Sequence, residues 1–267
     1  MSVLSRVGGR FLRGLVVLSV ATLLIPASGA AQSTSGAGVP DSAFGLVDSL
    51  RADGEFRDAL ARLRTLRADY GDEVGVLWRM SLTKVDSAKS TDVDSRVKAL
   101  YREALNLADE ALAVDSSAAH AHHAKAVAEG RIALDAGRKE RVRRSRAVKR
   151  HADRAIELDS TLDGAYHVRA RWHREVADLG FLEKVVVKTV YGGLPDASME
   201  QCIQDFERAI QLNDERLHRL ELAKTYVKLD REEDAKKQLR ALLDLPPREA
   251  FDEGYGYQAQ QMLNGFE

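Results

Sequence analysis

The chain has 267 residues, 45% hydrophobic and 30% charged, a balance that excludes a disordered or fibrous protein and allows one large domain or two small ones. A formal net charge of −1 excludes a uniformly basic nucleic-acid-binding protein. A single cysteine excludes an intrachain disulfide framework and a cysteine-only metal cluster.

The first 31 residues have the three parts of a secretory signal peptide. A basic, acid-free start precedes the apolar run 15–27, which is short for a membrane span, and small residues follow. We expect cleavage after Ala30 or Ala31 and export to the periplasm or the medium. The alternatives are an uncleaved membrane anchor and a mitochondrial presequence. Residues 32–40 are rich in Ser and Gly and are predicted to form a flexible linker.

A recurring five-residue string indicates helical repeats over residues 41–267. The strings ALAVD, AIELD and AIQLN end at Asp115, Asp159 and Asn213, and their spacing fits a unit of about 34 residues with insertions, the tetratricopeptide period. We therefore predict an all-α fold, a tetratricopeptide-like right-handed superhelix of about five helix pairs plus a closing helix. The predicted pairs are 41–70, 73–115, 118–159, 162–213 and 216–246, and the closing helix covers 248–264.

Small side chains fall where the two helices of a unit must touch, because close helix approach requires short side chains. The register places four of them on the first helices of units two to five: Ser81, Ala126, Ala170 and Ala223. The two contact sites of the second helices hold Ala59, Ala104, Val148, Cys202, Ala235 and Leu66, Ala111, Ala155, Ala209, Leu242. The larger residues fall mostly in the terminal units, where atypical caps are expected.

Insertions are predicted between the helices of three units: a polar loop at 87–94, a basic stretch in unit three, and the segment 180–196 in unit four. The basic stretch comprises Arg138, Lys139, Arg141, Arg143, Arg144, Arg146, Lys149 and Arg150. It is interpreted as a solvated surface or as a docking patch for anionic lipid, an acidic partner or nucleic acid. The absence of interleaved aromatic residues argues against nucleic acid.

The insertion 180–196 is predicted to contain a short amphipathic helix. Phe181 and Val185, and likewise the pair Val187 and Tyr191, have helical spacing, while Lys184 and Lys188 lie on the other side. Such a helix packs against its own repeats, lies on a membrane, or forms the wall of an apolar pocket.

Several strings in the second half of the chain, and the triplet Leu77–Arg79, resemble the regulator of microtubule dynamics family. These strings are Trp172–Leu179, Phe181–Lys184, Lys188–Pro195, Phe206–Ala209, Leu222–Tyr226 and Leu245–Pro247. The resemblance extends from about residue 75 to 266 and implies a tetratricopeptide-type fold. Eukaryotic members are implicated in microtubule association and in organelle contacts, and some in phospholipid binding, so these functions are what the resemblance implies here.

Motifs of catalysis are absent from the sequence, which contains no Walker loop, HExxH, G-x-S-x-G or dinucleotide fingerprint, so we expect neither an enzyme nor a cofactor. Cys202 is predicted to be a buried and inert thiol. His120 and His123 have a spacing that suits a metal, but no acid or cysteine stands at ligand spacing near them, so no metal site is predicted.

The concave groove is the predicted binding site, because the first helices of stacked pairs line that face. The predicted groove residues are Trp78, His120, His123, Arg131, His167, Arg171, Arg174, Lys224 and Lys228. A cationic groove of this kind favours a ligand with a carboxylate or phosphate, with Arg131, Arg171 and Arg174 as clamps. We expect a scaffold for an anionic peptide or protein partner; the alternatives are a phospholipid-binding protein that also uses the 180–196 insertion, and a cytoskeleton-associated protein.

Overall fold

A computed structural model of the protein describes residues 38–266. The predicted signal peptide and residues 32–37 of the predicted linker lie outside this range, and residues 38–40 lead into the first helix without regular structure. Among the helices of the described range, none combines the length and the apolar character needed to cross a bilayer.

The part of the chain from 38 to 266 forms twelve helices and no strand, which confirms an all-α helical-repeat fold. The helices are α1 Asp41–Ala52, α2 Phe56–Tyr70, α3 Val74–Lys89, α4 Asp94–Val114, α5 Ala119–Leu134, α6 Arg138–Leu158, α7 Asp163–Ala177, α8 Phe181–Tyr191, α9 Met199–Leu212, α10 Arg216–Lys228, α11 Glu232–Asp244 and α12 Asp252–Asn264. The two helices of each predicted pair are α1 and α2, α3 and α4, α5 and α6, α7 and α9, and α10 and α11, with α12 last.

The repeat units are held together at the small residues that the register assigned to helix contacts. All of these residues, on both helices of each pair, are buried. Ser81 on α3 shows why a polar residue is tolerated there: its hydroxyl donates a hydrogen bond of 2.8 Å to the carbonyl of Ala104 on α4. The short side chains let the two backbones approach each other, and the buried hydroxyl of Ser81 has a hydrogen-bond acceptor.

Larger side chains fill the spaces that these close contacts leave. Phe206 on α9 is fully buried and packs with Ala170 of α7 and with Leu222 and Tyr226 of α10. Because it joins helices from units four and five, this cluster fixes the position of the second half of the array.

The two unusual segments form helices of different kinds. The basic stretch, predicted as an insertion between the helices of unit three, instead forms the beginning of α6, because α5 ends at Leu134 and α6 begins only four residues later at Arg138. The predicted amphipathic helix is α8. Gly192 and Gly193, with φ of 77° and 82°, adopt the left-handed conformation that ends it.

The two ends of the array touch, so the superhelix closes into a ring. The ring of Phe251, just before α12, stacks on that of Phe56 in α2, with their centroids 5.6 Å apart. The ammonium of Lys89, at the end of α3, lies 4.9 Å above the ring of Phe251. We call this contact the clasp. It brings the two ends of the array together beside the concave face.

Candidate functional site

The ring surrounds a cavity of about 940 Å³ with a mostly apolar wall. All of the first helices contribute to this wall, together with α2, α6, α8 and the segment around the clasp. Apolar side chains that line the cavity include Leu82, Val85, Val127, Leu134, Val168, Val176 and Leu179. The volume lies near the upper end of the range of about 300–1,000 Å³ that is typical of ligand pockets.

Five of the predicted groove residues line this cavity. They are His120, His123, Arg131, His167 and Arg171. All five lie on α5 and α7, the two central first helices, where the repeat register aims the side chains inward.

The other four predicted groove residues are not part of the cavity wall. The side chain of Trp78 stacks on the ring of His120, with the centroids 4.6 Å apart. Arg174 is buried, and its guanidinium pairs with the Glu221 carboxylate and donates to the Glu221 carbonyl at 2.9 Å. Its expected role as an anion clamp is therefore wrong, because its charge is already neutralised inside the protein.

The two lysines of α10 are also committed to partners. The Lys224 ammonium lies 3.0 Å from the Glu221 carboxylate, and that of Lys228 lies 2.5 Å from Asp178. The closing helix α12 packs on α10 and takes over the cavity wall there through Tyr255. The predicted extension of the cationic groove along α10 is therefore corrected: Leu217 and His218 are the α10 residues that line the cavity.

The basic stretch divides into side chains with different partners. Arg138 and Arg141 line the cavity. Three others form ion pairs: Arg143 and Arg144 with Glu140, and Lys149 with Asp153. Arg146 donates hydrogen bonds to the carbonyls of Tyr191 and Gly193 at the end of α8. Lys139 and Arg150 are exposed. The stretch is thus not one continuous docking patch.

One end of the cavity is cationic. Arg131 is in the last turn of α5, and Arg138 and Arg141 are in the first turn of α6. Among the described residues, these three guanidinium groups have no carboxylate oxygen within 4.0 Å; Arg141 instead donates to the carbonyls of Ala133, Leu134 and Ala136. We call this set the arginine end. It offers positive charge beside an apolar wall.

The other end of the cavity holds histidines and carboxylates. The first helices run in parallel, so the first turns of α5, α7 and α10 meet there and bring together His123, Asp163, His167, Glu215 and His218. Burial lowers the pKa of His123 to about 4, so this ring is neutral at physiological pH. We call this set the histidine end.

Three side chains of the histidine end have the composition of a metal-ligand set. One possible ligand atom from each of Asp163, Glu215 and His218 lies within 4.8 Å of the other two. The sequence analysis missed these residues because 52 and then three positions separate them. The available signal was the repeat register, which places the first turns of successive first helices side by side.

Helix α8 belongs both to the cavity wall and to the outer surface. Leu182, Val186, Val187 and Tyr191 line the cavity. Yet Phe181 and Leu182 are 80% and 77% exposed, a high exposure for large apolar side chains that lie on one short helix.

Cys202 is buried, and burial raises the pKa of its thiol to about 11. The thiol is therefore protonated at neutral pH and is no nucleophile.

Comparison with known proteins shows which protein family this chain is similar to. The profile of the family described as "Regulator of microtubule dynamics protein 1-3" matches residues 44–267. Regulator of microtubule dynamics protein 1 of Bos taurus is 28% identical over 198 residues, which are 73% of this chain and 62% of that protein. Regulator of microtubule dynamics protein 3 of Rattus norvegicus is 26% identical over 227 residues, 83% of this chain and 48% of that protein. The chain thus spans less than two thirds of either relative.

Among solved structures, a thermophilic TPR protein of Thermus thermophilus superposes with a TM-score of 0.61 at 15% identity. The match covers 84% of this chain and 98% of that one. At this level of identity the likeness shows a shared tetratricopeptide-type fold.

Proposed function

The chain belongs to the regulator of microtubule dynamics family, and we propose that it acts as a non-enzymatic binding module that encloses an elongated amphiphile of the phospholipid class in the cavity of its ring. The observation that carries this proposal is the mostly apolar cavity of about 940 Å³, at one end of which three arginines have no carboxylate partner among residues 38–266. Apolar walls favour acyl chains, and guanidinium groups favour a phosphate.

The arginine end supplies the headgroup site in this proposal. Arg131, Arg138 and Arg141 come from two consecutive helix ends and face the same cavity. A phosphate between them forms charge-assisted hydrogen bonds with guanidinium groups that are exposed at Arg138 and Arg141 and half-buried at Arg131, so a charged headgroup can reach them from solvent.

In this proposal helix α8 forms the entrance to the cavity. Its exposed apolar residues continue the apolar wall to the outside of the ring, so an acyl chain passing along α8 stays in contact with apolar surface. Lys184 and Lys188 on the same helix suit the negative charge of a membrane surface.

Native mass spectrometry of the full-length protein purified from its own host, with lipid extraction, tests the proposal. We expect one phospholipid per chain, and a loss of at least tenfold in its occupancy in the double variant Arg138→Ala, Arg141→Ala. The matched control is Lys139→Ala, Arg150→Ala, which removes two positive charges from the same helix outside the cavity and leaves the occupancy unchanged. A protein that carries no lipid, or one whose lipid is lost equally in both double variants, contradicts the proposal.

An anionic peptide is the second candidate ligand, favoured by the same arginine end, since a carboxylate suits guanidinium groups as well as a phosphate does. In that case the mass spectrum shows a co-purifying peptide. Val127→Trp, which narrows the apolar part of the cavity, separates the two ligands: it displaces an acyl chain and leaves a carboxylate at the arginine end.

Cytoskeletal association is a further candidate, because the names of the relatives refer to microtubule dynamics. Co-sedimentation of the protein with microtubules tests it directly. Cytoskeletal association requires that the protein be in a compartment that contains microtubules.

For the location of the protein we propose export, on the basis of the three-part pattern of the first 31 residues. N-terminal sequencing of the mature protein from fractionated cells tests this, with a new terminus after Ala30 or Ala31 as the expected result.

A further inference from the structure

The histidine end of the cavity contains an acid–histidine cluster that the binding of an amphiphile does not use. The Nε2 atom of His218 lies 2.9 Å from a carboxylate oxygen of Asp163 and 3.8 Å from one of Glu215. His218 is 3% exposed, and all three side chains line the cavity. Two carboxylates and an imidazole from two neighbouring helices therefore converge on one point in the wall.

The ring of His218 is fixed from its other side. Its Nδ1 lies 2.9 Å from Nδ1 of His167, so one of these two nitrogens carries the hydrogen that joins them. When that hydrogen is on Nδ1 of a neutral His218, its Nε2 has a free lone pair, which is the form of the ring that binds a metal ion. A ligating histidine commonly has its second nitrogen held by a hydrogen bond in this way, because the bond fixes both tautomer and orientation.

Within residues 38–266, neither carboxylate has a lysine or arginine as its counterion. Among the described residues, no Lys or Arg nitrogen lies within 4.0 Å of Asp163 or Glu215; their close charged partner is His218. The first turns of α7 and α10 stand at the cluster, and each helix N-terminus carries about half a positive charge, so the two together offset only part of the charge of two ionised carboxylates.

We propose that Asp163, Glu215 and His218 form a binding site for one divalent transition-metal ion such as Zn²⁺. The ion lies between His218 Nε2 and the carboxylate oxygens of Asp163 and Glu215, whose candidate ligand atoms all lie within 4.8 Å of one another. Three protein ligands are fewer than the four of a closed structural zinc site, so a coordination position stays open toward the cavity. The proposal does not depend on which ligand the cavity binds.

The chain provides an internal control, because it contains a second histidine pair with the same contact. His122 and His151 approach with their Nδ1 atoms 2.8 Å apart and their rings stacked. The outer nitrogens of this pair face the carbonyl of Ser116 and the guanidinium of Arg150, whereas the outer nitrogen of His218 faces two carboxylates. A metal ion that requires the carboxylates as ligands therefore does not bind to His122 and His151.

Isothermal titration of ZnCl₂ into the untagged, chelator-treated full chain at about pH 7.5 tests the site. We expect one specific ion per chain, and a loss of affinity of at least tenfold in both Glu215→Gln and His218→Gln. Removing the outer imidazole with His167→Asn weakens binding by about 10–100-fold. His122→Gln leaves the affinity within about twofold.

Circular dichroism establishes that each variant is folded, and Glu215, at the partly exposed N-cap of α10, provides a variant with little structural cost. Absence of specific binding, equal affinity of wild type and Glu215→Gln, or an equal loss in His122→Gln refutes the site and leaves the cluster a hydrogen-bonded link between α7 and α10.

Discussion

The buried carboxylate of Glu221 offers the sharpest test of how units four and five are joined. Its side chain is 8% exposed and pairs with the guanidinium of Arg174, which is 6% exposed. Lys224 lies 3.0 Å from it and Arg171 3.7 Å. Replacing Glu221 by Gln keeps the size of the side chain and removes its charge, so Arg174 stays buried without its ion pair.

The size of the effect follows from the pKa of Glu221. Burial by itself raises this pKa, but the positive charges of Arg174, Arg171 and Lys224 outweigh burial and lower it from 4.5 to about 2. At about 1.4 kcal/mol per unit, the shift corresponds to about 3 kcal/mol of folding free energy. Breaking a buried ion pair by removing one partner typically costs about 3–5 kcal/mol, so the two arguments agree.

The pH dependence gives the prediction its direction. Because the pKa in the folded protein lies below that in the unfolded chain, the stabilisation is complete above about pH 4.5 and is lost as the pH falls toward about 2. Urea denaturation followed by circular dichroism measures the free energy of unfolding of the wild type and of Glu221→Gln. We expect a difference of about 3 kcal/mol at about pH 7 that shrinks steadily at acid pH.

Glu140→Gln is the matched control, since it also removes a carboxylate paired with arginine, but one that is 41% exposed. The hydrogen bond with Arg143 lowers the pKa of Glu140 to about 2 as well, but solvent screens this exposed pair, which contributes about 1 kcal/mol or less, so this variant remains close to the wild type. A Glu221→Gln variant no less stable than Glu140→Gln, or one whose deficit is the same at about pH 3 and pH 7, refutes the reasoning.

Three further predictions concern packing, the thiol and the clasp. Ala170→Leu forces a larger side chain between helices at a fully buried position and lowers the free energy of unfolding by about 1–3 kcal/mol in urea titrations, whereas a neutral result contradicts the assigned contact. Cys202, with a thiol pKa of about 11, resists a disulfide reagent at about pH 8 until urea unfolds the protein; rapid native labelling contradicts its burial. Phe251→Ala breaks the stack with Phe56 and raises the radius of gyration in X-ray scattering, while Tyr257→Ala, 69% exposed, leaves it unchanged.

The fold was accessible from the sequence because its key contacts are local and periodic. The alanines at 126, 155, 170 and 209 occupy equivalent positions of successive units, and a small residue at a helix contact is required by geometry whatever the rest of the unit contains. The basic stretch was misassigned to an insertion since charge alone does not distinguish the first turns of a helix from a loop.

The site was only partly accessible, for reasons that differ along the chain. On α5 and α7 the repeat register predicted inward residues such as His123 and Arg171, and these line the cavity. On α10 the register failed, because the closing helix covers that face and Glu221 engages the lysine and arginine side chains around it. The clasp depends on Phe56 and Phe251, which are 195 positions apart, and no periodic pattern connects them.

The two ends of the cavity make the two proposals independently testable. The arginine end is formed at the last turn of α5 and the start of α6, whereas the proposed metal ligands lie at the starts of α7 and α10. Parallel first helices about 15 residues long separate their two ends by about 20 Å, so a charge change at one end is strongly screened at the other. Glu215→Gln should therefore abolish metal binding while leaving lipid occupancy unchanged, and the Arg138→Ala, Arg141→Ala variant should do the reverse. Loss of both activities in either variant would mean that the two ends are coupled through one bound molecule that spans the cavity.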